Sequence, residues 1–261
     1  MKILCIGDIV GLPGRDAVMK LLPSMKKEFA VDFVIANAEN SSGGRGVTEK
    51  IAEALFESGC DALTLGDHVW DKLEVKEYLN NKSKNIIRPA NFPSEAPGRG
   101  WCIVKTAHDK KVAVINLIGR VFMKHNVDCP FKMLKNILAE VHKQTSIIIV
   151  DMHAETTSEK VAMGHFANGE VSAVFGTHTH IQTADEKILS KGTAYITDLG
   201  MSGPYDSVIG QNKDFIIQRF LTTVPMKFEV ATDDVKICGV LITVDEKTGK
   251  ASDIQRIQRS A

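Results

Sequence analysis

The sequence predicts an α/β protein of one domain over residues 1–261, a four-layer α/β/β/α sandwich of two mixed sheets covered by helices. Three observations lead there. Strand and helix patterns alternate through the first 80 residues, which gives parallel strands joined by helical crossovers. Two later hairpins bring antiparallel strands into the sheets. Five short β-like runs stop abruptly at Asp, Glu, Asn or His, and residues just past the carboxyl ends of parallel strands converge on one crevice.

A strand at 2–6 comes first, and Gly11-Leu12-Pro13-Gly14 turns into a helix over about 15–28. A strand at 33–37 leads into the loop Ser41-Ser42-Gly43-Gly44-Arg45-Gly46. Thr48 caps a helix running to about 58, where Gly59 stops it. A strand at 62–65 and a helix over about 72–80 complete the alternating half. Prolines and a Pro97-Gly98-Arg99-Gly100 turn keep the next segment extended. The stretches 101–106 and 111–117 form a hairpin closed by His108-Asp109-Lys110. A helix over about 130–142 leads to a buried strand at 147–150, followed by a helix at 157–166 and strands at 171–175 and 193–197. The last hairpin pairs 235–244 with 252–257 and turns near Thr248-Gly249.

Lys plus Arg and Asp plus Glu both number 32, so no bulk basic field draws nucleic acid or a membrane surface. A nucleotide would be held locally, by metals and a few cationic side chains, with Arg15, Arg45 and Arg88 as candidates. The five cysteines are scattered and never form a C-x-x-C pair, which argues against a disulfide framework and a thiolate zinc site. No apolar stretch approaches the roughly 18 residues of a membrane span, and the start is too short for a signal-peptide core. The expectation is a cytoplasmic protein with reduced thiols. The oligomeric state is left open, a homo-oligomer included.

The strand ends carry metal-ligand chemistry: Asp8, Glu39-Asn40, Asp67-His68, His153 and His178-Thr179-His180. Carboxylate, amide and imidazole donors suit transition metals, and so many ends leave room for more than one ion. If the chain stays extended, His178 and His180 face one side and can share an ion; if it turns between them, they serve neighbouring ions. A carboxylate at Glu39 can bridge two cations. The glycine-rich loop lacks the Lys of a P-loop and is expected to be flexible, and Gly11-x-x-Gly14 fails the dinucleotide-binding spacing. His108, His125, His142 and His165 are expected in structural or solvent roles. Trp70 and Tyr205 are candidates to stack on a base, although Trp70 more simply packs beneath the metal loop.

Gly7-Asp8, Gly66-Asp67-His68 and Gly176-Thr177-His178-Thr179-His180 resemble the ordered blocks of calcineurin-like metallophosphoesterases. More narrowly, Ala38-Glu39-Asn40, Arg88-Pro89-Ala90-Asn91-Phe92-Pro93, His153-Ala154-Glu155 and Thr197-Asp198-Leu199-Gly200 resemble the YmdB-type branch. The resemblance implies the fold predicted above and two transition-metal ions, iron first, with manganese and zinc as alternatives. It further implies hydrolysis of cyclic nucleotide phosphodiesters of the 2′,3′-cyclic AMP type by metal-activated water. By position, Asp8, Glu39, Asn40 and His180 would hold one ion, and Glu39 would bridge to a second held by Asp67, His153 and His178. His68 would be the proton donor to the leaving oxygen, the alternative being a structural histidine.

One position departs from the family pattern: Asp67 stands where the block usually has Asn. The extra negative charge could retune metal preference, weaken activity or be harmless, and a functional site with altered metal or pH behaviour is expected. Two rivals stay open beside the phosphodiesterase: a phosphomonoesterase or nucleotidase with the same centre, and a nucleotide-sensing regulatory protein with incidental turnover.

Overall fold

Alternation along two strands sets the layers of the computed structural model, which describes residues 1–261. In β1 (Lys2–Ile6), Ile3 and Cys5 face one apolar cluster while Leu4 and Ile6 face another. In β7 (Lys111–Ile118), Val112 and Val114 join Ile3 and Cys5, whereas Ala113 and Ile115 enter a third cluster. The shared cluster therefore lies between two sheets. On the Leu4 side pack α1 (Gly11–Phe29), α2 (Glu49–Glu57) and α3 (Val75–Asn80). On the Ala113 side pack α4 (Pro130–Val141) and α5 (Thr157–Phe166). This is the expected α/β/β/α stack.

The first sheet also contains β2 (Asp8–Ile9), β3 (Phe33–Asn37), β4 (Ala62–Thr64), β5 (Ile86–Ile87), β12 (Met201–Pro204), β13 (Val235–Val244) and β14 (Ala251–Ser260). Its order is β2-β12-β13-β1-β3-β4-β5, with β14 paired to β13. The second sheet adds β6 (Trp101–Lys105), β8 (Ile147–His153), β9 (Ala173–Thr177), β10 (Lys187–Ile188) and β11 (Ala194–Ile196), in the order β10-β11-β9-β8-β7-β6. β1, β3, β4 and β5 run parallel, as do β7, β8, β9 and β11, so their carboxyl ends share one rim.

Several boundaries differ from those expected. β8 continues three residues past Val150, because β7 and β9 supply ladder partners on both sides through His153. Asp151 and His153 are thus alternate residues of one strand and share a face. The helix expected over 72–80 starts at Val75, since the preceding residues form turns in which Asp71 N–H bonds the His68 carbonyl. A helix with no sequence-based expectation, α6 (Lys213–Thr222), lies between β12 and β13 and buries none of its residues. No helix is long and apolar enough to cross a membrane.

Candidate metal centre

Each candidate residue sits where a strand of the rim ends. Asp8 lies in the bridge strand β2 beside β12, and Glu39 and Asn40 follow β3. Asp67 and His68 follow β4, His153 closes β8, and His178 directly follows β9. The turn alternative holds for the last pair: His178 and His180 have φ of 99° and 64°, left-handed values that rotate the two rings to different partners. Gly66 is required beside them, because a Cβ there would overlap Glu39 Oε2 and His153 Nε2.

Donor atoms of Glu39, Asp67, His153 and His178 all lie within 4.8 Å of one another, close enough to share an ion. His153 Nε2 is 3.0 Å from Asp67 Oδ1 and 3.4 Å from Glu39 Oε1, and His178 Nδ1 is 3.2 Å from Asp67 Oδ1. A second group adjoins it. Asn40 Nδ2 lies 3.0 Å from Glu39 Oε1 and 3.1 Å from His180 Nε2, which is 3.8 Å from Asp8 Oδ1. A half-turn of the Asn40 amide presents its oxygen, the ligating atom, to the same place. Glu39 belongs to both groups.

The surroundings fix the tautomers. His153 Nδ1 is 2.9 Å from Thr177 Oγ1, whose hydroxyl donates to Asp151 Oδ1 at 2.7 Å, so His153 Nε2 is left to face the crevice. Thr64 Oγ1 and Asn37 Nδ2 also donate to Asp151. His180 Nδ1 donates to the Ile209 carbonyl at 2.9 Å, which frees its Nε2 in the same way. Thr179, between His178 and His180, donates through Oγ1 (2.7 Å) and N–H (3.2 Å) to Asp198. Asp198 in turn accepts from buried Lys160 at 2.7 Å.

Electrostatics shows that the site suits cations. Burial raises the Asp8 carboxyl to about 7, helped by the charge of Asp198. Burial likewise lifts Glu39 well above its usual range, with Asp67 and Asp8 adding repulsion. Burial depresses His153 to about 3 and keeps it neutral. Asp8 Oδ1 is buried with no hydrogen-bond partner. Crowded carboxylates, neutral imidazole nitrogens and an orphaned oxygen fit metal ions better than protons.

His68 stands at the edge. Its Nδ1 is 3.0 Å from Asp71 Oδ2, and its Nε2 lies 3.9 Å from Asp67 Oδ2, on the side of the cluster. Burial holds its pKa below the usual value despite Asp67 and Asp71. A cavity of about 290 Å³ opens here, lined by Glu39, Asn40, His68, His178 and His180 and, farther out, by Arg45, Gln211 and Phe228.

A family model described as YmdB-like protein matches residues 4–257. The chain belongs to the YmdB-like family. A 2′,3′-cyclic-nucleotide 2′-phosphodiesterase of Bacillus subtilis (strain 168) is 49% identical over 257 residues, covering 98% of this chain and 96% of that protein. A crystal structure of a protein from Thermus thermophilus superimposes with a TM-score of 0.92 at 36% identity, covering 100% of this chain and 99% of that one. A crystal structure of a novel phosphatase from Mycoplasma pneumoniae has the same TM-score and identity, covering 100% and 93% of the two chains. The YmdB-like membership matches the resemblance carried by the strand-end motifs.

In this YmdB-like chain, other candidates take different roles. Arg88 is buried and donates to the carbonyls of Pro89, Ala96 and Pro97, so it stiffens the extended segment. Arg15 lines a separate groove between α1 and α2. Trp70 packs edge-on to Phe92, and the Tyr205 hydroxyl donates to the Met201 carbonyl. His125, expected to be structural, holds the Asp67 carbonyl at 2.8 Å. No sequence signal singles out Asp71 as a site residue; Thr177, Lys160 and Asp198 are marked only by their positions in the blocks, and Asp151 only by ending an apolar run.

Proposed function

We propose that this protein is a metal-dependent phosphodiesterase that hydrolyses cyclic nucleotides of the 2′,3′ type. The observation that carries the reading is Glu39, whose carboxylate stands between two donor groups. Asp8, Asn40 and His180 would hold one transition-metal ion with Glu39, and Asp67, His153 and His178 the other, iron being preferred over manganese or zinc. Two such ions supply positive charge against the phosphate and acidify water.

The chain's own groups do the rest. The Thr177 and Ile209 contacts hold His153 and His180 with Nε2 inward. The Asp71 carboxylate orients His68 through Nδ1 and works against the burial that lowers the ring's pKa; His68 lines the cavity, where its protonated form would carry a proton on Nε2. That proton passes to the ribose oxygen as a water oxygen bonds to phosphorus and the P–O bond to the ribose breaks, leaving a nucleoside monophosphate.

The test is His68→Ala. The variant should keep its metals and lose about 10²–10⁴-fold in turnover. The loss should shrink for a nitrophenolate leaving group, which needs no proton. Equal losses on good and poor leaving groups would refute the proton-donor role. The likeness to a structure described as a phosphatase favours one second reading, a phosphomonoesterase. A panel of cyclic and linear esters decides, since a phosphomonoesterase turns over nucleoside monophosphates faster than the cyclic esters.

A further inference from the structure

The cavity is not charged throughout: its apolar lining comes from two residues, Ile209 and Phe228, both on the excursion between β12 and β13. Phe228 is 44% exposed and Ile209 48%, although each borders a site crowded with charge. A short antiparallel ribbon ties the two stretches that carry them: Gln211 bridges Val230, Asn212 N–H bonds the Glu229 carbonyl at 2.8 Å, and Ala231 N–H bonds the Gly210 carbonyl at 3.0 Å. The glycine-rich loop lays the Arg45 guanidinium over the Phe228 ring, 4.2 Å from its centroid, and Arg219 lies 5.5 Å from the same centroid. Gly43, Gly44 and Gly46 have φ of 63°, 89° and 75°, left-handed values that glycine adopts at no steric cost. Gln211 also lines the cavity, and its side-chain oxygen is buried without a partner.

We propose that Arg45 and Phe228 form a nucleobase subsite, where the base of the substrate stacks while its cyclic phosphate lies at Glu39, His178 and His180. The subsite presupposes the phosphodiesterase function proposed above. A nucleotide is amphipathic in the same sense as the cavity, with a charged phosphate at one end and a flat apolar ring at the other. Guanidinium and phenyl planes both stack on bases without regard to sequence. The aromatic side chains otherwise suited to this task, Trp70 and Tyr205, do not line the cavity. Arg45 thus acts through its face toward the base, in place of the phosphate contact expected from sequence.

The experiment compares adenosine 2′,3′-cyclic phosphate with 1-O-methylribose 2′,3′-cyclic phosphate, which has no base, in the metal-loaded protein and in Phe228→Ala and Phe228→Trp. The preference for the adenosine substrate, as a ratio of kcat/KM values, should fall about ten- to a hundredfold in Phe228→Ala, chiefly through KM, for the loss of one base stack. Phe228→Trp should keep it. An unchanged ratio in Phe228→Ala overturns the subsite. Calorimetry with adenosine 3′-monophosphate and inorganic phosphate gives a readout independent of turnover. The wild type should bind the nucleotide more tightly than phosphate, and Phe228→Ala should lose that advantage; equal affinities in the wild type overturn the subsite. If the wild type hydrolyses neither cyclic ester, the phosphodiesterase function fails while the calorimetry still decides the subsite.

Discussion

Asp198→Asn attacks the His178–His180 loop from beneath. The Asp198 carboxylate and the Lys160 ammonium meet at 2.7 Å with side chains 0% and 1% exposed. Removing one partner of such a pair leaves an uncompensated buried charge and costs about 3–5 kcal/mol. For a chain of this size, roughly 2–4 °C per kcal/mol converts that into a fall in Tm of about 6–20 °C. The same carboxylate accepts two hydrogen bonds from Thr179, between His178 and His180, and one from Gly200 N–H. The variant should therefore also lose metal. Thermal unfolding in chelator isolates the stability effect, and elemental analysis after loading measures the metal. A second variant, Lys160→Met/Asp198→Leu, separates the two effects. Replacing both charges with apolar groups should recover most of the stability, because neither ion is then left unpaired. It cannot restore the Thr179 contacts, so metal content should stay low. A stability loss under about 1 kcal/mol in Asp198→Asn would refute the buried pair as a stabilising unit. Full metal content in the double variant would refute the clamp on the ligand loop.

Three further outcomes follow from the same geometry. Glu39→Ala should empty both metal positions together, since its carboxylate adjoins both donor groups; elemental analysis showing one position still full contradicts the bridge. Burial opposes ionisation of Asp67, but the His153 and His178 imidazoles beside it hold its carboxyl well below the usual range, so it stays charged. Three carboxylates facing two divalent ions leave a core charge of about +1, and Asp67→Asn raises it to about +2. With two divalent ions, that variant should show an activity profile displaced to lower pH, and an unchanged profile and metal preference would make the substitution neutral. Burial pushes the Cys60 thiol to about 12 and Cys102 to about 11, so neither forms thiolate at pH 8. Of the five cysteines only Cys129 is partly exposed, and alkylation of the native protein should be confined to it until unfolding releases the rest.

The layered α/β architecture and the residues that meet in the crevice are legible in the chain before it folds. Both are local signals: an apolar run reports a buried strand, and a polar residue that halts it reports the strand's end. Asp8, Glu39, Asp67, His153 and His178 each carry that signature within a few residues. Helix α6 gives no such signal, because it buries none of its residues and has no apolar face committed to the core. Which partners orient the site is settled only on folding. Lys160 and Asp198 are 38 residues apart, Thr177 and Asp151 are 26 apart, and His125 reaches back 58 residues to Asp67. These contacts depend on strand register and on loops folding over the rim, and a buried lysine or threonine has no local pattern to distinguish it. The meeting of Arg45 with Phe228 is of the same kind, since only the folded chain closes the distance between a glycine-rich loop and the far end of the excursion.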